Sequence, residues 1–259
     1  MNTTADRRLL PGGRIAAELY KKSLNRVILV VGGGPSAPAQ LEQLHLENPV
    51  IIAANDHAFR LGLRPDYIVC KDHRHTETKE FMEDRLRGYG VPIVSPHYWA
   101  DHRMYRWPAQ GNSGQMAIGL AALLGGSPII PIGFDCYQGG TYFHDADAHN
   151  VSRGRPGGIW HCAFSRSSLR LQGAAIRAVG GITANVFPHY DSAEVLPPVI
   201  VPAAFEHYAT QRTQHVRMLR ASTVPGGVRS EIPAGWILPV DVSERGFYLR
   251  TGAAELVHS

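Results

Sequence analysis

The apolar positions of this chain fall into short unbroken blocks, separated by stretches whose apolar residues recur at helical spacing. Residues 27–31 (Val-Ile-Leu-Val-Val) and 50–54 are continuous and rich in β-branched side chains, as strands buried on both faces require. Residues 65–71, 91–95 and 129–132 carry a third, fourth and fifth block of the same kind. Between them, 36–46, 76–87 and 113–124 read as helices, the last apolar nearly all round and therefore buried. A short helix is expected over 15–24, another over 162–179, and a further strand over 183–187. Strands alternating with helices predict an α/β fold, a Rossmann-like three-layer parallel sheet. The pattern changes near Pro197-Pro198. From residue 216 onward short strands with turn signals predict a small C-terminal β-rich appendage, with a last helical turn over 247–252.

Two strand-to-loop-to-helix junctions stand out. The first strand block runs into Gly32-Gly33-Gly34-Pro35-Ser36, and Gly111-Asn112-Ser113-Gly114 opens the buried helix that precedes the strand ending in Gly133-Phe134-Asp135. Glycine-rich turns that open helices present backbone N–H groups and a positive dipole end, which suits a phosphorylated ligand. Neither turn is G-x-G-x-x-G or a Walker loop. Each also has a purely structural reading, as a tight turn in the first case and a helix cap in the second.

In a parallel α/β sheet, ligands bind beyond the carboxyl ends of the strands. Small or polar residues follow each block there: Gly32 to Ser36, Asn55-Asp56, Asp72-His73, Ser95-Pro96-His97 and Phe134-Asp135. Asn55 and Asp72 can hydrogen-bond a base or ribose, or simply close their strands as Asx turns. Asp135 can serve ribose, a metal or a neighbouring backbone N–H.

Composition changes this picture little. Apolar content of 44% and charged content of 19% over 259 residues describe a globular protein, and 27 glycines with 18 prolines fit many turns. The net charge of +4, with no dense Lys/Arg block, suits acidic small ligands without indicating nucleic-acid binding. Three cysteines, Cys70, Cys136 and Cys162, lie outside any C-x-x-C spacing, so neither a disulfide framework nor a cysteine zinc site is expected. No signal-like start and no apolar run near the roughly 18 residues of a membrane span are found, so a cytoplasmic protein without membrane association is expected.

The stretch 134–160 is rich in Gly, His and Asp, and a loop of that length in a compact domain is usually functional. In His144-Asp145-Ala146-Asp147-Ala148-His149 either histidine can take a proton from a hydroxyl nucleophile, and the cluster is also compatible with a divalent metal. Solvated decoration is the third reading. Arg153, Arg155 and Arg166 flank it. Tyr98, Trp99, Tyr105 and Trp107 interleave with His102, Arg103 and Arg106, either to stack on a base or sugar or to pack onto their own domain.

Taken together, Gly-Gly-Gly-Pro-Ser after the first strand, Asn55 after the second, and Asn-Ser-Gly leading through a helix to Ile-Gly-Phe-Asp carry a family resemblance. Over about residues 27–187 the chain resembles the bacterial sialyltransferase-like glycosyltransferases, their relatives in flagellin-glycosylation and phage gene sets, and an archaeal pterin diphosphokinase. A phage-type member is what the resemblance suggests. It implies a Rossmann-like nucleotide-binding catalytic domain over 1–200, followed by a linker and small β-rich module over 201–259. It implies donor contacts from Gly32, Gly33, Gly34, Ser36, Asn55, Asn112, Ser113 and Gly114, with Asp72 standing where that family has an asparagine. A histidine general base is implied, for which His144 and His149 are the candidates beside Asp135, and Tyr142 would lie on the leaving phosphate. The expected activity is transfer of a sugar from a nucleotide-sugar donor to a hydroxyl of a glycan, a protein or a modified DNA base. No resident cofactor and no metal ligand set are assigned, although a divalent metal is compatible, and a homo-oligomer is expected of such folds. The alternatives are a Mg-dependent diphosphokinase or nucleotidyl-type transferase, and a non-catalytic nucleotide-binding protein.

Overall fold

The structure is a computed structural model. It describes residues 14–72, 80–97, 99–104, 112–135, 171, 173–196, 198–210, 214–219, 221–224, 228–232, 234–235, 237–240 and 248–256. Seven parallel strands form the main sheet: β1 (Arg14–Ile15), β2 (Ile28–Val31), β3 (Val50–Ala54), β4 (Tyr67–Val69), β5 (Ile93–Ser95), β6 (His102–Arg103) and β7 (Ile129–Ile132). Their order across the sheet is β1-β6-β5-β4-β3-β2-β7. The chain therefore steps outward from β2 to β6 and then crosses back to lay β7 on the other side of β2. That reversal makes the carboxyl ends of β2 and β7 the topological switch point.

Alternation along β2 builds both halves of the core. Ile28 and Val30 pack on the face shared with helix α4 (Ser113–Leu124), while Leu29 and Val31 pack with Ala58, Ile130 and Ile132 on the other. That second face is covered by α1 (Ala37–Glu42), α2 (His57–Arg60) and α3 (Met82–Arg87). Pro131 sits in β7 without harm. Ile129 donates outward to the Ala175 carbonyl, so Pro131, two residues on, faces the same way and removes no bond to β2.

Helix α4 is buried on nearly every side and packs against β2, β3, β4 and β7. Its first turn is closed by a capping box: Asn112 Oδ1 accepts from Gln115 N at 2.9 Å, and Gln115 Oε1 accepts from Asn112 N at 3.1 Å. Its last turn ends on Gly125 at φ 81°, the left-handed conformation that glycine adopts without strain. Helix α5 (Ala203–Thr210) lies against α4 and the 3-10 helix Ala16–Leu19, with Phe205 in the main core. Beyond it come two antiparallel sheets. One joins β8 (Gln214–Met218), β11 (Ile237–Val240) and β12 (Ala254–Leu256), and the other joins β9 (Ser222–Val224) to β10 (Val228–Ile232).

Two expectations need correction. Residues 183–187 do not form a strand: Gly181–Asn185 is a 3-10 helix, entered through Gly181 at φ 67° and closed by Thr183 Oγ1 on the Gly180 carbonyl. The helix expected over 162–179 is absent from its described part, where residues 173–179 run as turns and bridges beside β7. The rest of that stretch lies outside the described residues. Cys70 is fully buried, so burial pushes its thiol pKa far up and it behaves as a core residue.

At the far end of β3 a buried carboxylate ties two helices together. Asp56 is 4% exposed and accepts from Arg85 at 2.8 Å, with Arg60 and Tyr89 Oη each at 3.3 Å on the same oxygen. Burial pushes its pKa up, but the Arg85 hydrogen bond and charge, helped by His57 and Arg60, prevail and hold it at about 2 against an ordinary 3.8. The folded value lies below the unfolded one, so this stabilisation is complete above roughly pH 4 and is lost as pH falls towards about 2. Asp56→Asn should therefore cost about 2 kcal/mol at neutral pH. The gap to wild type should close below about pH 4 in urea melts taken across the acid range. A gap undiminished at low pH would mean that shape, not charge, holds this junction.

Candidate functional site

The switch point brings the two backbones into close approach. Gly32 N donates to the Ile132 carbonyl and Gly34 N to the Gly133 carbonyl, both at 2.8 Å, extending the β2–β7 pairing past the last sheet residues. A Cβ on Gly32 would stand 2.6 Å from the Gly133 oxygen, and Gly133 itself holds φ 69°. Glycine is required at both positions. Gln40, buried in α1, accepts from Gly133 N at 2.8 Å and fixes the turn from the other side.

Asp135 then folds back over the glycine turn. Its Oδ2 accepts from Ser36 N at 3.1 Å and from Ser36 Oγ at 2.9 Å, and a Cβ on Gly34 would lie 1.9 Å from that same oxygen. Of the three partners open to Asp135 in the sequence, the structure places it on a neighbouring backbone N–H. The opening of α1, a natural seat for an anion, is thus filled by a carboxylate of the chain itself. Ser36 stands at the helix N-cap, yet its hydroxyl serves Asp135 rather than the helix.

The second glycine turn lies on the same rim. The Phe134 ring separates the two: a Cβ on Gly32 would be 3.2 Å from its Cδ2, and one on Gly114 would be 2.6 Å from its Cε1. Ser113, 5% exposed, accepts at Oγ from Lys71 N at 3.0 Å and so fastens the start of α4 to the end of β4. Asp72, exposed, follows directly, its carbonyl accepting from Cys70 Sγ at 3.3 Å. Asn55 closes β3 in the left-handed region at φ 53°, with its N–H on the Val69 carbonyl and its side-chain Oδ1 buried with no partner among the described residues. Gly33 is buried within the first turn.

Gly32, Gly34, Ser36, Asp135, Gly114, Ser113 and Asn112 accordingly form one continuous rim, with Asp72 and Asn55 at the ends of the next two strands. His144, His149 and Tyr142 lie outside the described residues, as do Arg153, Arg155, Arg166, Tyr98, Tyr105, Arg106 and Trp107. Trp99 is buried at 2% exposure and stacks on His97, whose Nε2 lies 2.8 Å from the Lys71 carbonyl, so this ring packs onto its own domain. Phe134 was named in the sequence only as part of the strand end before Asp135, with no role given to its ring. Gln115 was missed, though Asn112-x-x-Gln115 is capping-box spacing. Among the described residues no three His, Cys, Asp or Glu side chains gather as metal ligands. A cavity of about 440 Å³ among Gln43, His45, His189, Tyr190, Asp191 and Ser192 shares no residue with the rim.

The sequence matches no protein-family model and no curated protein. Among solved structures the chain is similar to the MAf glycosyltransferase from Magnetospirillum magneticum AMB-1, with a TM-score of 0.42 and 14% identity. That match takes in 78% of this chain and 41% of the other, so the chain spans well under half of that protein's length. It is also similar to the sialyltransferase CstII from Campylobacter jejuni, solved with a substrate analogue, cytidine-5'-monophosphate. There the TM-score is 0.34 and the identity 11%, over 72% of this chain and 98% of that one. No helix among the described residues is long and apolar enough to cross a membrane.

The tightness of the switch point is directly testable. Ala at position 34 would drive its methyl carbon against the Gly133 carbonyl oxygen, 2.7 Å away, as well as into Asp135, whereas Ala at 114 meets side chains alone, the edge of the Phe134 ring at 2.6 Å and Asn112 Oδ1 at 3.3 Å. Gly34→Ala should lose about 2–4 kcal/mol in denaturant melts and Gly114→Ala about 1 kcal/mol. The reverse order would make the Phe134 ring, not the paired backbones, the rigid element.

Proposed function

We propose that this chain is a glycosyltransferase that moves a sugar from a nucleotide-sugar donor to an acceptor hydroxyl. The observation that carries the reading is the meeting of both glycine turns on one ring, Phe134, at the switch point of a parallel sheet. Because Asp135 already takes both donors of Ser36, the donor's phosphate belongs at the opening of α4, around Asn112, Ser113 and Gly114. Asn55 and Asp72, at the ends of β3 and β4, face the nucleoside. The glycine turn, Gly32 to Gly34, shapes the floor, and Asp135, bound to Ser36, anchors the end of β7, which the His144–His149 stretch follows in sequence.

In this mechanism His144 or His149 takes the proton of the acceptor hydroxyl as its oxygen bonds to the anomeric carbon. The bond from that carbon to the phosphate oxygen breaks, and its electron pair leaves on the phosphate, steadied by Tyr142. The acceptor is a glycan, a protein hydroxyl or a modified base. The two C-terminal sheets lie outside the rim and form a separate module after residue 200, and assembly as a homo-oligomer fits a domain of this kind.

A thermal-shift panel of nucleotides and nucleotide sugars tests the donor, since a ligand at 100 times its Kd stabilises by about 2.7 kcal/mol. With the donor in hand, His144→Ala or His149→Ala should lower kcat by roughly two to four powers of ten while nucleotide binding stays within a few-fold. Equal turnover in both variants would remove these histidines from the chemistry. Strict Mg²⁺ dependence, with phosphate rather than sugar transferred, would replace this reading with phosphoryl transfer.

A further inference from the structure

Gln115 is 1% exposed and occupies the third position of α4, where its carboxamide is held by one firm contact, Oε1 on Asn112 N. That contact fixes which end is oxygen, because a backbone N–H accepts nothing and the amide cannot be flipped without losing it. The other end, Nε2, is a buried donor with no partner among the described residues. It lies on the same carboxamide and so at the first turn of a twelve-residue helix, beside Ser113 and on the rim described above. At the end of β3, against which α4 packs, Asn55 Oδ1 is a buried acceptor that also lacks a partner. An unpaired buried polar atom costs about 1–3 kcal/mol, so a protein that keeps one of each kind at its ligand rim keeps them for a ligand.

We propose that Gln115 reads the donor's nucleobase, Nε2 donating to a ring carbonyl while Asn55 Oδ1 accepts from a ring or exocyclic N–H. A phosphate offers acceptors only and would leave Asn55 Oδ1 unmet, whereas a base edge with adjacent carbonyl and N–H groups satisfies both. The assignment rests on the nucleotide-sugar reading and adds to it the residue that selects the base.

Gln115→Glu separates reading from capping. Glutamate keeps the oxygen that caps Asn112 N and completes the same capping box, and the helix N-terminus offsets part of the cost of burying its charge, so the variant should stay folded, which its thermal melt checks. It removes the donor. Binding of uridine, cytidine, adenosine, guanosine and their 5′-monophosphates is measured by calorimetry on both proteins. The base that binds wild type should bind the variant about tenfold more weakly as the uncharged nucleoside, where the new charge has no phosphate to repel. Unchanged affinity, or a loss confined to the charged monophosphates, would overturn the role of Gln115 and leave the nucleotide reading intact. Failure of all eight to bind wild type would overturn both.

Discussion

The site depends on how closely the ends of β2 and β7 come together. Gly32 and Gly34 each hand an N–H to the opposite strand's continuation, and Gly133 meets Gly32 so tightly that neither can carry a side chain. Every other placement on the rim follows. The approach throws Phe134 out between the two glycine turns and swings Asp135 over the start of α1. Gln40 then locks the turn from below through Gly133 N. A switch point usually opens because diverging loops leave a crevice there. Here the crevice between β2 and β7 is closed by backbone and carboxylate, and the proposed ligand seat shifts accordingly towards α4, β4 and β3.

That shift has an electrostatic side. A helix start attracts an anion whether it comes from a ligand or from the chain. At α1 the chain supplies Asp135, which meets both the amide and the hydroxyl of Ser36. A second negative group beside it would meet repulsion rather than free donors. At α4 the described hydrogen bonds of the first turn come from neutral groups: Asn112 Oδ1 accepts from Gln115 N, Gln115 Oε1 accepts from Asn112 N, and Ser113 turns its oxygen lone pairs to Lys71 N while keeping a hydroxyl proton to give. Two junctions that look alike as glycine-rich turns therefore differ in what they can accept.

Much of the scaffold was legible because the parallel strands are buried on both faces and so are written as unbroken apolar runs, Ile28–Val31 and Val50–Ala54 most plainly. Helix α4 was legible for the same reason, being apolar all round. The failures have physical causes. The one-turn helix His57–Arg60 is too short to show a period, and β6 hides in a basic stretch because Arg103, though fully buried, reads as a surface residue. The segment 181–187 has β-branched residues, yet Gly181 and the Thr183 cap wind it into a 3-10 turn. On the rim, strand ends named Asn55 and Asp72 because their position follows from topology, and the glycine-rich opening of α4 named Ser113. The pairing of Ser36 with Asp135, 99 residues apart, follows from no local spacing and needed the fold itself.

The buried polar groups of this protein divide by what surrounds them, and the division marks where the molecule is finished and where it is not. Asp56 draws three donors onto one oxygen, and although Arg85 Nε has no partner among the described residues, the charge of its guanidinium is met. Such a cluster holds α2 to α3 and asks nothing of a ligand. Gln115 is held as firmly through Oε1, which means its free Nε2 is not an accident of a loose side chain: the same contact that caps α4 aims the unused donor. Asn55 has its backbone held in the left-handed region with its N–H given to Val69, and its Oδ1 is buried and unmet among the described residues. A fold that rigidly presents an unmet donor and an unmet acceptor at the ends of adjoining elements is preorganised for a molecule with the complementary edge, and the stability it forgoes alone returns when that edge arrives.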